Sequence, residues 1–170
     1  RILTITYNGR CKTEEIRLGR NINYKKMKVV REGNLVFSEY NTFHGAIGYI
    51  TKEFDGALAS GSYTVAKCSD NHDALYLWSI LRTTEIRADF LTSAIGMGRQ
   101  TISWDDMKEI SVPLLPKPSR KIIAEKILNA WKMEYKAEHT LKGISKNLNQ
   151  KFDVESESSQ TRFLSAKPPK

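Results

Sequence analysis

Along about the first 115 residues the apolar positions come in short runs broken by turn residues, a pattern of short strands rather than long helices. Ile2, Ile5 and Tyr7 alternate with polar neighbours, and Asn8-Gly9 follows at once, a pair suited to a two-residue hairpin. Residues 27–30 form a second run, and after a Gly33-Asn34 turn Leu35-Val36-Phe37 reads as a buried strand. Gly45, Gly48, Asp55-Gly56 and Gly61 then punctuate runs at Ile47, Tyr49-Ile50, Ala57-Leu58 and Tyr63-Thr64-Val65. From Asp73 the period changes. Leu75, Leu77-Trp78, Ile80-Leu81, Ile86 and Phe90-Leu91 recur at helical spacing and predict one or two helices over 73–93, ended by Gly96 and Gly98. A short polar strand over 100–103, a helical turn capped at Asp105-Asp106 and a strand over 110–114 are expected next. Pro113, Pro116 and Pro118 close this part, since prolines so dense do not fit a regular element.

Beyond the prolines the chain turns helical without a break. Steps of four and three residues from Ile123 reach Ile127, Ala130, Glu134, Ala137, Leu141, Ile144 and Leu148, a seam that is apolar at every position but Glu134. About thirty helical residues make a rod of ~45 Å, longer than a domain of this size needs for its own core. The seam therefore predicts packing on another helix, with folding back onto its own domain as the alternative. Gly143 is a local weakness of about 1 kcal/mol against Ala. The expected fold class is α+β: a compact, curved, β-rich domain with short helices over 1–118, one long coiled-coil-type helix over 119–152, and a flexible tail over 153–170.

Composition narrows the possible chemistry. The 170 residues carry 27 Lys plus Arg against 19 Asp plus Glu, a formal +8. Residues 1–31 hold nine basic and two acidic residues, residues 32–119 seven and eleven, residues 120–151 eight and three, and the remainder three of each. Two basic zones thus flank a mildly acidic body, and a polyanionic partner is expected. No run is long and apolar enough for a transmembrane helix, and the opening residues lack the apolar core of a signal peptide. Cys11 and Cys68 form no C-x-x-C pair, so neither a Cys-rich zinc site nor a disulfide scaffold is expected, and the expected location is cytoplasmic. The chain opens on Arg1, which implies a fragment or a processed product.

Motifs for catalysis are sparse. His44, His72 and His139 have no partner at metal-ligand spacing, Gly96-Met97-Gly98 lacks the remainder of a phosphate-cradling loop, and there is no G-x-S-x-G. A nuclease that holds Mg²⁺ with two acids and a lysine could draw on Glu53 and Asp55 with Lys52 or Lys67, a pattern most charged chains offer. Recognition is better represented. Lys25, Lys26, Lys28 and Arg31 cluster after Asn21 and Tyr24, with Arg17 and Arg20 before them, and such groups neutralise phosphates while amides and hydroxyls reach bases. Arg99-Gln100 follows a double-glycine loop, and both side chains can make paired hydrogen bonds to purine edges.

The order Val30-Arg31-Glu32-Gly33-Asn34-Leu35-Val36-Phe37-Ser38, then Gly45-Ala46-Ile47-Gly48, then Asp55-Gly56-Ala57-Leu58-Ala59-Ser60 resembles the target recognition domain of Type I restriction-modification specificity subunits. The resemblance continues through residues 77–81, Gly96-Met97-Gly98-Arg99-Gln100-Thr101-Ile102 and Ile110-Ser111-Val112-Pro113-Leu114-Leu115-Pro116, and covers about residues 1–150. Where that family's long helix usually opens with Gln, Ser119-Arg120-Lys121 stands here.

The resemblance implies a sequence-specific, non-catalytic component that binds double-stranded DNA and reads half of a bipartite site. Phosphate contacts would come from Lys25, Lys26, Lys28 and Arg31, and base contacts from Ser38, Tyr40, Asn41, His44, Ser60, Tyr63, Arg99 and Gln100. The long helix, through Ile123, Ile127, Ala130, Leu141, Ile144 and Leu148, would meet a second recognition domain or another copy and dock DNA adenine methyltransferase subunits. S-adenosylmethionine and Mg/ATP would sit only on those partners, and this chain would hold no metal or cofactor. With one recognition domain and one helix it looks like half a subunit. The alternatives are the C-terminal recognition portion of a fused adenine methyltransferase or restriction endonuclease, and a nuclease.

Overall fold

The computed structural model describes residues 1–13 and 26–158, with the backbone alone for Lys151 and residues 153–158. The strands are β1 (Leu3–Ile5), β2 (Cys11–Thr13), β3 (Met27–Val29), β4 (Asn34–Ser38), β5 (Ile47–Tyr49), β6 (Leu58–Ser60) and β7 (Tyr63–Lys67). The helices are α1 (Asn71–Ile80), α2 (Thr84–Ser93), the single turn α3 (Trp104–Met107) and α4 (Lys117–Ser158). Strand contacts between distant segments, followed by one long helix, give the α+β class that the alternating runs predict. Contacts divide the chain into two units, Arg1–Ile127 and Leu128–Lys170. Among the described residues no helix is long and apolar enough to cross a membrane.

The strands form three small antiparallel sheets: β1 with β2, β3 with β6, and the triplet β5-β4-β7. A parallel bridge between Ile2 and Leu58 joins the first pair to the second. Leu3 and Ile5 point inward on alternate positions of β1, and with Val30, Val36, Ala46, Ile50, Ala57 and Ala59 they make a buried cluster. Small residues at 46, 57 and 59 let the sheets approach closely, while each large side chain contributes about 1.5–3 kcal/mol by leaving water. Strand β4 is buried along its length because it has a strand on either side.

Asn8-Gly9 does turn the chain, but the turn is wider than a two-residue hairpin. Thr6 N donates to Arg10 O at 3.0 Å and Gly9 N to Thr6 O at 2.8 Å, with Gly9 at φ +72. Three residues therefore span the loop with glycine in the left-handed position, and Tyr7 becomes an exposed loop residue. Asp70 caps α1 by accepting from His72 N and Asp73 N at 2.8 and 3.2 Å. Those two donors, foremost Asp73 N, hold its carboxyl below the usual range. α3 is capped by Ser103, which exchanges hydrogen bonds with Asp106, so the acidic pair sits inside the turn instead of capping it.

Three further expectations change. The 110–114 segment forms no strand; Pro113 O instead accepts from Tyr76 Oη at 2.6 Å, and Leu114 is exposed. Over 100–103 there is one bridge, Ile95 to Thr101, and no strand. α4 starts at Lys117, before the expected boundary, with Pro118 in its first turn, where a missing N–H costs nothing. Its opening is tied to α1 by an Arg120–Asp73 ion pair at 3.2 Å, both side chains largely buried. The helix continues to Ser158, past the expected end at Phe152, and residues 159–170 of the expected tail lie outside the described residues.

Cys11 gives a prediction. Its Sγ donates to Tyr49 O at 3.5 Å, and burial, partly opposed by the Arg10 charge, pushes the thiol up to about 12. At pH 8 only about one molecule in ten thousand would carry the reactive thiolate. Native Cys11 should therefore resist iodoacetamide until the protein unfolds, while the half-buried Cys68, also raised by burial, should label sooner. Native-state labelling of Cys11 at the rate of a free thiol, mapped by mass spectrometry, would contradict this placement.

Candidate nucleic-acid interface

One edge of the first unit collects most of the expected contact residues. It is set by strand register: Met27 pairs with Ser60 at the end of β3-β6, and Ser38 pairs with Tyr63 at the end of β4-β7. The Gly61-Ser62 turn joins these two ends. The Lys26 backbone and Cβ lie against Gly61, and Lys28 Nζ donates to Tyr63 O at 2.6 Å, so both lysines stand beside the turn. On its other side Glu39 N donates to Ser62 O at 3.0 Å, and Glu39 O accepts from Ile102 N at 3.0 Å. That second bond brings the 95–101 hairpin to the same edge.

The hairpin is narrow. Ile95 N donates to Thr101 O at 2.8 Å and Thr101 N to Ile95 O at 2.9 Å. Gly96 stands at φ +135, and a Cβ there would meet Arg99 O at 2.8 Å, so a side chain at 96 would force the hairpin open. Arg99 Cζ stacks over Tyr40 at 3.8 Å from the ring centroid, Gln100 is exposed, and Met97 projects wholly into solvent. A guanidinium on an aromatic face is held in place while keeping its donors for a base edge or a phosphate. Trp104, absent from the expected contacts, is partly exposed here and packs on Phe37 with centroids 5.9 Å apart.

The expected residues divide accordingly. Lys26, Lys28, Tyr40, Tyr63, Arg99 and Gln100 share the edge. Ser38 and Ser60 belong to it by register but are buried, at 5% and 9% exposure, so they support the turn from beneath. Asn41 is half-buried, and its carbonyl accepts from His44 N and Ala46 N at 3.0 Å each. His44 is exposed on the 3-10 turn Thr42–His44, between the rings of Phe43 and Tyr7 at 4.6 and 5.6 Å. Arg31 lies at the opposite end of β3, facing Asp55 at 3.5 Å, and Asp55 also accepts from Glu32 N at 2.9 Å. Asp55 is thus occupied in a turn. Lys25, with Arg17, Arg20, Asn21 and Tyr24, lies outside the described residues. Among the described residues no three His, Cys, Asp or Glu side chains converge as they would around a metal ion.

In the seam of α4, Ile123 and Ile127 are half-buried and Ala130 is exposed. Leu141, Ile144 and Leu148 are exposed at 62%, 49% and 49%, as is Phe152 one turn beyond Leu148 at 64%. The Lys142–Glu138 pair at 2.8 Å supports the helix one turn apart without covering that row.

No protein-family model matches this chain, and no curated protein matches it. Its fold recurs among solved structures. The HsdS subunit from Thermoanaerobacter tengcongensis superposes with a TM-score of 0.60 at 17% identity, over 97% of this chain and 43% of that one. A chain of the type I R-M system, solved to show its complex assembly and conformational transition, gives 0.61 at 17% identity with the same coverage. The chain thus has the fold of part of an HsdS subunit and spans less than half the length of either neighbour.

Proposed function

We propose that this chain is a DNA-recognition component of a type I restriction-modification system, reading one half of a bipartite site and catalysing nothing itself. The observation that carries this reading is the HsdS fold shared along 97% of the chain. In support, the edge formed by the strand ends pairs cations with planar and amide groups. Lys26 and Lys28 take phosphates. Arg99 and Gln100, carried on the exposed 95–101 hairpin, face bases, with Tyr40 beneath Arg99 and Tyr63 at the end of β7 beside them. α4 docks a second recognition helix and the methyltransferase subunits, and S-adenosylmethionine and Mg/ATP belong on those partners. Two such helices side by side would hold two reading edges at a set distance, which yields a split site with an unspecified spacer.

Selection from randomised duplex, followed by anisotropy titration, tests the reading. A recovered motif bound well above scrambled duplex is expected, and equal affinity for every duplex would sink it. On the selected site Arg99→Ala should cost about 1–3 kcal/mol, roughly 5- to 150-fold, and relax specificity at one base pair. Lys28→Ala should instead weaken all duplexes alike and lower the salt slope by about one.

A further inference from the structure

Arg82 and Arg87 are separated in sequence from every basic cluster, yet both close on one short turn beside the edge described above. Arg87 Nε donates to Phe43 O at 3.0 Å, and Arg82 Nε donates to Gly45 O at 3.2 Å. Arg82 also lies over Trp78, its Cζ 4.4 Å from the ring centroid. Both glycines of this corner make room for these side chains. At Gly9 (φ +72) a Cβ would meet Arg82 Nε at 2.5 Å, and at Gly45 (φ +95) it would meet Tyr7 O at 2.7 Å with Arg87 Nε 3.7 Å away. Two left-handed glycines, a buried indole and two carbonyls thus hold the pair in fixed positions.

What they lack is an opposing charge. Neither guanidinium has a carboxylate partner among the described residues, and each is held through Nε, which leaves its terminal nitrogens without a protein acceptor there. Burial makes the protonated form of Arg82 harder to hold, and the charges of Arg87 and Arg10 add to that. Two guanidiniums held on one turn, with no carboxylate on either among the described residues, oppose folding, and a bound anion would offset that cost. The planar fork of terminal donors matches a phosphate bidentately. Exposed Tyr7 and His44 stand beside the corner, in ring contact with each other.

Position says which anion. Phe43 and Gly45 belong to the connection from β4 to β5, which leaves β4 at Ser38, the end that carries Tyr40 and pairs with Tyr63. In the order β5-β4-β7, Lys28 flanks this end of the triplet from the β7 side, and Arg82 and Arg87 flank it from the β5 side. We propose that Arg82 and Arg87 form a second phosphate clamp, gripping the DNA backbone on the far side of the reading edge from Lys26 and Lys28. This rests on the DNA-recognition reading and adds to it the residues that fix the duplex across the edge.

The test uses the whole chain and a mixed-sequence duplex at low salt, since phosphate contacts do not depend on sequence. Phenylglyoxal modification mapped by mass spectrometry should show Arg82 and Arg87 protected by the duplex, while Arg31, at the opposite end of β3, keeps its reactivity. Arg87→Gln should bind about tenfold more weakly and lower the slope of log K against log salt by about one, and the double variant with Arg82→Gln by about two. Arg87→Lys should restore the slope but only part of the affinity. Duplex binding that leaves both arginines fully reactive would overturn the clamp while sparing the recognition reading. A purely structural role would show as a lowered melting temperature with an unchanged salt slope, which also overturns the clamp. Failure of the recognition reading shows elsewhere, as a selection that returns no motif.

Discussion

Replacing Trp78 with alanine is expected to cost about 3–5 kcal/mol and to lower the melting temperature by roughly 10 °C or more. The indole is 7% exposed, and its Nε1 donates to Ile47 O at 2.9 Å and to Gly9 O at 3.3 Å. One side chain on α1 therefore fastens both the edge strand β5 and the β1-β2 turn. Alanine leaves a cavity, strands two carbonyls and removes the surface on which Arg82 lies. Against a total stability of about 5–15 kcal/mol that loss is large. Trp78→Phe separates the terms: it keeps most of the volume and the ring face, and should cost only the unmet carbonyls, about 1–3 kcal/mol. Urea denaturation of the two variants checks this, and a loss below about 1 kcal/mol for the alanine variant would show that the corner holds without the indole.

A chain carrying Leu141→Lys and Ile144→Lys is expected to lose association altogether while its first unit melts as before. Both side chains are exposed in the single chain, at 62% and 49%, so the change should alter its own stability by no more than about 0.5 kcal/mol. In a paired helix each would be buried, worth about 1.5–3 kcal/mol, and in a two-fold pair each is lost twice. The sum, about 6–12 kcal/mol, spans the difference between a firm complex and none. Sedimentation equilibrium, alone and with a methyltransferase subunit added, reads the outcome. A wild-type chain that stays monomeric under both conditions, or a variant that associates as well as wild type, would remove the seam from the partner surface.

Much of the architecture was legible in sequence because it depends on local period. The two helices over 73–93, the buried run at Leu35-Val36-Phe37 and the seam from Ile123 to Leu148 are each decided by which neighbours along the chain are apolar. The failures were also physical. Residues 110–114 have the composition of a strand but no partner strand, and Tyr76 takes the Pro113 carbonyl instead. Pro118 looked like a terminator because a proline is barred from a helix interior, yet at the first turn it is permitted. Ser38 and Ser60 open two of the loops that the resemblance assigns to base contact, and the close register of β4 with β7 and of β3 with β6 buries both side chains.

The segmental charge was more misleading. Residues 32–119 are net acidic, which hides Arg82 and Arg87 among eleven carboxylates. Folding brings the two to a corner with Arg10, and sets Arg99, legible from its double-glycine loop, onto Tyr40. Sequence alone determined the succession of strands and helices, the basic character of the two ends and an apolar row along a helix, since these are properties of residues close in the chain. Only the tertiary structure decided which cations share an edge. That depends on antiparallel pairings such as Met27 with Ser60 and Ser38 with Tyr63, and on carbonyls lent by the 43–45 turn to arginines some forty positions away. No local period encodes such distances, because the free energy that sets them comes from burying the sheets together.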